Sequence, residues 1–157
     1  MKIDKAKIGF RAIAVVAAIN LQGRVVALLL REGSICTSDF VDFLRNLKSR
    51  MRGEKTYVFL DNLRIHHTLI IASKAQANNQ VLIFNASYSS QLNPIERLWA
   101  VAKRRFVKDC VTDVDFKQQE EIKAFLKKNI LEASPDTLQK HVFACLKLMQ
   151  NDSLKLR

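Results

Sequence analysis

The segment from Tyr57 to Phe106 is the most informative about the fold and reads YVFLDNLRIHHTLIIASKAQANNQVLIFNASYSSQLNPIERLWAVAKRRF. It opens with a short apolar run that stops at Asp61, and it ends in a helical pattern whose first turn holds Glu96. Two carboxylates therefore lie at the ends of regular elements, where a folded chain can hold them in fixed positions. The elements between them decide whether they meet.

Short apolar runs alternate with helical patterns inside this stretch. Residues 57–60 are β-prone and almost wholly apolar, which suits a central parallel strand. Residues 69–78 predict a helix, and residues 81–84 predict a second buried strand. After a polar loop over residues 85–93, Pro94 stands where a helix can begin. One apolar stripe follows it, consisting of Ile95, Leu98, Trp99, Ala102 and Phe106.

The residues before this stretch predict a hairpin and a further helix. Residues 10–20 form an apolar run rich in Val and Ile, followed by a Gly-containing turn and a second strand over residues 24–31. The alanines of the first run leave a helix open as an alternative. Residues 39–50 carry apolar side chains at helical spacing, and Thr37 or Ser38 can cap that helix. The order β-β-α-β-α-β-α predicts an α/β layered domain.

We divide the chain into three parts. Residues 1–9 are a polar, lysine-rich N-terminal tail, residues 10–108 are the α/β core, and residues 109–157 are a C-terminal helical extension. The extension begins with a loop that carries Asp109, Asp113 and Asp115. Two amphipathic helices follow, one from about Phe116 to Asn129 and one from Ser134-Pro135, and they must dock on the core or on a partner.

The composition favours one soluble, intracellular domain that binds a polyanion. A chain of 157 residues with 48% apolar residues is long enough to bury a core. It shows no apolar window of membrane-spanning length and no signal-peptide layout, so we expect no membrane partner. Three widely spaced cysteines argue against a disulfide framework or a structural zinc site. The 26 Lys and Arg residues exceed the 15 Asp and Glu residues, and this makes nucleic acid the leading partner.

Asp61 and Glu96 are candidates for metal binding. Open α/β sheets place their ligand sites at the carboxyl ends of strands, where Asp61 stands. Two carboxylates there could bind divalent cations that activate water and stabilise the leaving oxygen in phosphoryl transfer. Each residue also has an ordinary explanation. Asp61 and Asn62 can simply end a strand in a turn, and Asn93 and Glu96 have the spacing of a helix capping box.

Two motifs resemble a known family. Asp61-Asn62-x-x-x-His66, followed by Tyr88-Ser-x-x-Leu92-Asn93-Pro94-Ile95-Glu96-Arg97-x-Trp99, is similar to the second and third motifs of DDE transposases of the mariner-like superfamily. Thirty-four residues lie between Asp61 and Glu96, a spacing familiar from that group. The longer motif is the specific one. The resemblance is firm over residues 57–106, fainter over residues 10–50 and absent after about residue 115.

The resemblance implies an RNase H-like three-layer fold with a mixed sheet, Mg²⁺ or Mn²⁺ as cofactor, and DNA cleavage with strand transfer by a 3′-hydroxyl. By position, Asp61 would be the second metal carboxylate and Glu96 the third. The residues beside the site would be Asn62, His66 and Asn93, although His66 could equally be a packing residue. Basic side chains of the third helix would face DNA, or would form an ordinary solvated face. They are Arg97, Lys103, Arg104, Arg105 and Lys108.

The sequence also departs from the family. Ser90 stands where the family usually has proline, and Asn85-Ala86 stands where it usually has Leu-Pro. The family's first aspartate and its strand are not visible, because Asp4 is the only acidic residue before Glu32 and lies in a segment too polar to be that strand. The missing strand is central in an RNase H-like sheet, so its absence would leave two unpaired apolar edges. We therefore predict a protein partner that supplies or covers the first strand.

Three functions follow from these observations. The first is a DDE transposase-type catalytic domain for metal-dependent DNA cleavage and strand transfer, incomplete on its own. The second is a catalytically inactive, transposase-derived subunit with a structural or nucleic-acid-binding role, since two carboxylates alone should bind Mg²⁺ poorly. The third is a basic nucleic-acid adaptor. The compartment would be the nucleus or the bacterial cytoplasm.

Overall fold

The computed structural model describes residues 11–111 and 118–155. The predicted order of strands and helices is confirmed within these ranges, and the first apolar run is a strand, not a helix. The predicted tail, Asp113, Asp115 and the predicted helix start at Phe116 lie outside the described residues. The elements are β1 (Ile13–Ile19), β2 (Val25–Glu32), α1 (Thr37–Arg50), β3 (Thr56–Leu60), α2 (Leu69–Ala77), β4 (Gln80–Phe84), α3 (Ile95–Val111), α4 (Gln119–Leu131) and α5 (Pro135–Lys155), with 3₁₀ turns at Arg64–His67 and Ser90–Leu92.

The four strands pair in two separate sheets. β1 and β2 form an antiparallel hairpin in which Ala18 lies opposite Ala27. β3 and β4 run parallel, with Leu60 opposite Phe84. Both pairings of the predicted mixed sheet are therefore present. Within residues 11–111 and 118–155, however, no strand joins the hairpin to the parallel pair.

One helical layer spans both sheets. Four residues of α1 are buried, and Leu44 is completely so. On its side of the molecule α1 packs with α2 against one face of the hairpin and one face of the parallel pair. The residues that the two sheets and α2 contribute to this cluster include Val16, Ala18, Ala27, Leu29, Val58, Leu60, Leu82, Ile71 and Ala75.

The opposite face of the hairpin packs against the three C-terminal helices. Leu98 of α3, Ile130 of α4 and Leu138 of α5 are each at most 1% exposed and belong to one cluster with Ala102 and Ala133. Val15, Ala17 and Leu28 of the hairpin pack against this cluster, as does the half-buried Trp99. The predicted division at residue 108 stays a prediction, but this packing indicates that α4 and α5 are stabilised by the core.

Apolar strand residues remain uncovered on the parallel pair. Tyr57, Val81 and Ile83 are 63%, 38% and 44% exposed, and they share the face turned away from α1 and α2. All seven residues of β1 are apolar yet only partly buried. Such strands normally lie inside a sheet with both faces covered.

Among the described helices, none is long and apolar enough to cross a membrane.

The start of α1 corrects one prediction. The cap residue is Cys36, whereas Thr37 and Ser38 already lie inside the helix. The reason is Asp39, whose Oδ2 accepts hydrogen bonds from the backbone N–H and the Sγ of Cys36, both at 2.8 Å. Arg31 also pairs with Asp39 and so ties β2 to this helix start. The carboxylate of Asp39 at the third helical position therefore makes Cys36 the N-terminal cap of α1.

In the Asp39→Asn variant, the free energy of unfolding is expected to fall less as the pH is lowered than it does in the parent. Hydrogen bonds from Cys36, and then the charge of Arg31, hold the pKa of Asp39 below its ordinary value. A lowered native pKa stabilises the fold above the unfolded-state pKa of about 4, and this contribution is lost as the pH falls through the native pKa. Urea unfolding midpoints of the parent and Asp39→Asn, measured from about pH 2 to pH 7, test this. Asp42→Asn, at an exposed carboxylate paired with Arg45, is the control. If the urea midpoints of the parent and Asp39→Asn changed equally with pH, Asp39 would not have a lowered pKa in the folded state.

Candidate active site

Asp61 follows directly on β3, at the carboxyl end of the strand. The backbone N–H of Asn85 donates to the carbonyl of Leu60 at 2.8 Å, so the ends of β3 and β4 stay joined. The Asp61 side chain is 47% exposed. Its Oδ1 is buried and has no hydrogen-bond partner among the described residues. The carboxylate therefore presents its other oxygen to solvent.

His66 fixes Asp61 from the interior side. Its side chain is only 10% exposed, and its ring lies 4.4 Å from that of Phe40, centre to centre. The Nδ1 of His66 is 3.3 Å from the backbone carbonyl oxygen of Asp61 and 3.0 Å from its Oδ1. Only the carbonyl contact has hydrogen-bond alignment, so we assign the bond there and treat the Oδ1 contact as electrostatic. His66 is thus both a packing residue and a neighbour of the predicted site.

A polar bridge joins the strand end to the next loop. Asn62 donates through Nδ2 to the hydroxyl of Ser87 at 2.9 Å. Its Oδ1 contacts the Nε2 of His67 in a short hydrogen bond. The ring of His67 stacks on Phe84, the last residue of β4, at 4.2 Å between centres. The loop after β4 is therefore held against the residue that follows Asp61.

The same loop continues to the start of α3. Asn85 is buried and donates through Nδ2 to the carbonyl of Ser89 at 2.7 Å. A 3₁₀ turn follows, and then Asn93, which is 7% exposed and accepts from the backbone N–H of Ile95 at 3.4 Å. The buried asparagines at the two ends of the loop form hydrogen bonds with backbone groups and so restrict the conformation of the loop.

Glu96 lies in the first turn of α3 and is exposed. Within the described part of the chain its carboxylate has no hydrogen bond or ion pair, so the capping box offered by Asn93 and Glu96 is not observed. Asn93 caps this end through its own side chain. A negative charge near a helix N-terminus interacts favourably with the helix dipole. Glu96 is therefore available to a cation.

Both carboxylates are donors of the type that a divalent metal ion prefers. Mg²⁺ and Mn²⁺ prefer oxygen ligands, and Asp61 offers an outward oxygen while Glu96 is unpaired. In residues 11–111 and 118–155, no three His, Cys, Asp or Glu side chains converge as a ligand group. The described chain thus provides candidates for two ligands and not for a third.

The five predicted DNA-binding residues differ in exposure. Lys103, Arg104 and Lys108 are exposed, whereas Arg97 and Arg105 are half-buried. Arg105 donates to the backbone carbonyl of Asn129 at 3.2 Å and so joins α3 to α4. Its charge therefore has a structural use as well as the predicted one.

Four residues near the site were not predicted from the sequence. They are Phe40, His67, Asn85 and Ser87. The pair of adjacent histidines in the sequence could have indicated the role of His67, because in a 3₁₀ turn the two rings contact different neighbours. Phe40 and Ser87 act through contacts between distant segments, and no local pattern marks such contacts.

A family model described as a DDE superfamily endonuclease matches residues 4–123. The chain belongs to the DDE superfamily endonucleases. The predicted membership of the DDE superfamily is thereby confirmed. No curated protein matches the sequence.

Solved structures show that this DDE superfamily endonuclease has the predicted RNase H-like fold. The catalytic domain of Mos1 mariner transposase matches with a TM-score of 0.68 and 14% identity, over 86% of this chain and 69% of that one. The same domain with Raltegravir and Mn matches with a TM-score of 0.63 and 13% identity, over 90% and 80%. Mos1 transposase in a paired-end complex with the left transposon end gives 0.66 and 17%, over 83% of this chain. This chain spans only 39% of the length of that last one.

Proposed function

We propose that this DDE superfamily endonuclease is a transposase-type catalytic domain that cleaves DNA with the help of divalent metal ions and transfers the cut strand. The reaction would be DNA recombination by a mobile element, in a nucleus or in bacterial cytoplasm. One observation carries the proposal. Asp61 is fixed by His66 at the end of a parallel strand with one carboxylate oxygen turned outward, in a chain of this family.

The residues of the site would divide the work. Asp61 and Glu96 would hold Mg²⁺ or Mn²⁺, which when bound supplies an activated nucleophile and stabilises the leaving oxygen. The hydrogen bond from His66 holds the backbone of Asp61, and the 3.0 Å contact of its Nδ1 with Oδ1 would favour one orientation of the carboxylate. The Asn62–Ser87 bond keeps the loop that leads to Glu96 against the same strand end. The exposed Lys103, Arg104 and Lys108 would bind DNA phosphates.

We also propose that a second polypeptide supplies or covers a strand between the two sheets. The seven residues of β1 are apolar and only partly buried, and the parallel pair exposes Tyr57, Val81 and Ile83. Unpaired apolar strands attract other strands, and proteins rarely leave them open. A strand that carries an aspartate would also complete the ligand group. The chain is therefore expected to act as part of an assembly.

A catalytically inactive subunit is the second candidate. It is favoured by the absence, within the described residues, of a third side chain that could join Asp61 and Glu96 in a ligand group. Two carboxylates without a third would repel each other with less compensation and hold a divalent ion weakly. In this role the basic surface and the fold would be retained for assembly or for DNA binding.

DNA cleavage by the native assembly distinguishes the two candidates. The chain, purified together with the protein that binds it, is incubated with supercoiled plasmid and Mg²⁺ or Mn²⁺, and with EDTA as the control. The catalytic proposal expects nicked or linear DNA only with the divalent ions. Intact plasmid under every metal condition, with DNA still bound, would support the inactive subunit instead.

His66 should affect metal use more than stability. Its Nδ1 donor orients Asp61, and groups that orient a metal ligand typically contribute 10- to 100-fold in affinity or activity. His66→Phe keeps an aromatic ring against Phe40 but removes the donor, so the Mn²⁺ concentration for half-maximal cleavage should rise about 10- to 100-fold. His66→Asn places an amide donor near Nδ1 and should recover much of this loss. If His66→Phe and His66→Asn reach half-maximal cleavage at the same Mn²⁺ concentration as each other, the hydrogen-bond donor of His66 does not orient Asp61.

A further inference from the structure

Tyr88 occupies an unusual position next to the site. It lies in the loop between β4 and α3, and the residue is fully exposed. Its backbone φ is +59°, in the left-handed region. Glycine and asparagine adopt this conformation easily, but a bulky residue does so at a cost. The fold therefore bears two penalties here, a strained backbone and an aromatic ring in water.

The loop holds Tyr88 in this conformation from both sides. Ser87 accepts a hydrogen bond from Asn62 at 2.9 Å, and the carbonyl of Ser89 accepts one from Asn85 at 2.7 Å. Ser89 also donates through its hydroxyl to the carbonyl of Ser87 at 3.3 Å. Strained backbone persists only when its surroundings determine it in this way, and it concentrates at functional positions.

These hydrogen bonds hold the loop of Tyr88 near the strand end that carries Asp61. Asn62 follows Asp61 in the chain, and Asn85 is bonded to Leu60, the residue before Asp61. Both anchors of the loop are therefore neighbours of the strand end that carries Asp61. Other exposed aromatic rings differ from it: Tyr57 lies on the sheet under the ammonium of Lys55, and Phe143 lies on α5. Phe84 is near the same strand end, but it is only 37% exposed and its ring is stacked on His67.

We propose that Tyr88 is a stacking platform for an unpaired nucleobase of the DNA that the site binds. The inference rests on the proposed function, in which a DNA phosphate lies at Asp61. The excess of Lys and Arg, 26 against 15 Asp and Glu, favours a polyanionic partner. Every base has an aromatic face, but bases inside a duplex are already stacked on both sides. An unpaired base next to the cleavage position has a free face for the ring.

Fluorescence of 2-aminopurine tests this proposal, because stacking quenches it. The native assembly is titrated into a duplex with a short single-stranded overhang whose first unpaired base is 2-aminopurine, and into the matching blunt duplex. Tyr88→Asn removes the ring and relieves the backbone, so folding is preserved. Tyr88→Phe keeps the ring. Phe143→Ala, which removes an exposed ring on α5, is the control.

We expect quenching with the parent, Tyr88→Phe and Phe143→Ala, and its loss with Tyr88→Asn. Affinity for the overhang should fall about 5- to 150-fold in Tyr88→Asn, as expected for the loss of one stacked base, while affinity for the blunt duplex stays the same. Equal quenching by Tyr88→Asn, or an equal loss on both DNAs, would overturn the proposal. Absence of cleavage with Tyr88-dependent quenching would contradict the catalytic function and leave the platform in place.

Discussion

The Asp61→Asn variant is expected to lose more than about 100-fold of the metal-dependent DNA cleavage of the native assembly, since groups that merely orient a metal ligand already contribute 10- to 100-fold. Asparagine has nearly the same shape and leaves the backbone carbonyl that His66 contacts in place. It removes the negative charge, which a hard divalent cation needs. The initial rate of plasmid nicking in Mn²⁺, at equal protein concentrations, is the measurement.

Two comparisons make this result specific. Asp42→Asn changes an exposed aspartate of α1 that, in the described structure, pairs with Arg45, so its cleavage rate should equal that of the parent. Unfolding midpoints should be close for all three proteins, because Asp61 Oδ1 accepts no hydrogen bond in the described structure. Cleavage by Asp61→Asn at the parental rate would exclude Asp61 as a ligand and leave the inactive-subunit proposal as the better one.

The Gly23→Ala variant is expected to lose about 3 kcal/mol or more of unfolding free energy, through backbone strain and overpacking together. Gly23 turns the β1–β2 hairpin with φ at +73°. A Cβ atom there would lie 2.1 Å from the carbonyl oxygen of Pro135 and 2.6 Å from the backbone nitrogen of Gln139. Both are main-chain atoms at the start of α5, which cannot rotate away. The hairpin and α5 would have to separate.

Gly53→Ala is the matched control for this experiment. Its φ is +76°, almost that of Gly23, but nothing lies within 4 Å of the position that a Cβ atom would take. It should therefore show the conformational cost alone, about 1 kcal/mol. Urea unfolding of both variants gives the clash with α5 as the difference between the two losses. Equal losses would mean that the hairpin turn and α5 are not in close contact.

The sequence predicted those features that depend on local pattern. The spacing of apolar residues, together with the turn residues, predicted all four strands and five helices of the described chain. It also predicted that Asp61 and Glu96 lie at the ends of regular elements. Corrections arose where a side chain acted across a few residues. Asp39 moved the cap of α1 to Cys36, a residue that is not itself a common helix cap.

Contacts between distant segments were not predictable in the same way. The Asn62–Ser87 bond joins residues 25 positions apart, and the contact of His66 with Phe40 joins a 3₁₀ turn to α1 across the core. Strand pairing is also non-local, yet the sequence did predict two unpaired edges, because the first strand of the mixed sheet is not visible in it. In the described chain the strands do lie in two separate sheets. The exposure and strained backbone of Tyr88 likewise depend on how its neighbours are held.

The separation of the two sheets has a consequence for control of the protein. If a second polypeptide supplies the joining strand, the active species forms at a rate set by the concentrations of both chains. Synthesis of either chain alone then produces no cutting activity, and low expression suppresses the reaction more steeply than it would for a single-chain enzyme. A requirement for two chains would thus set a concentration threshold for the cleavage of DNA.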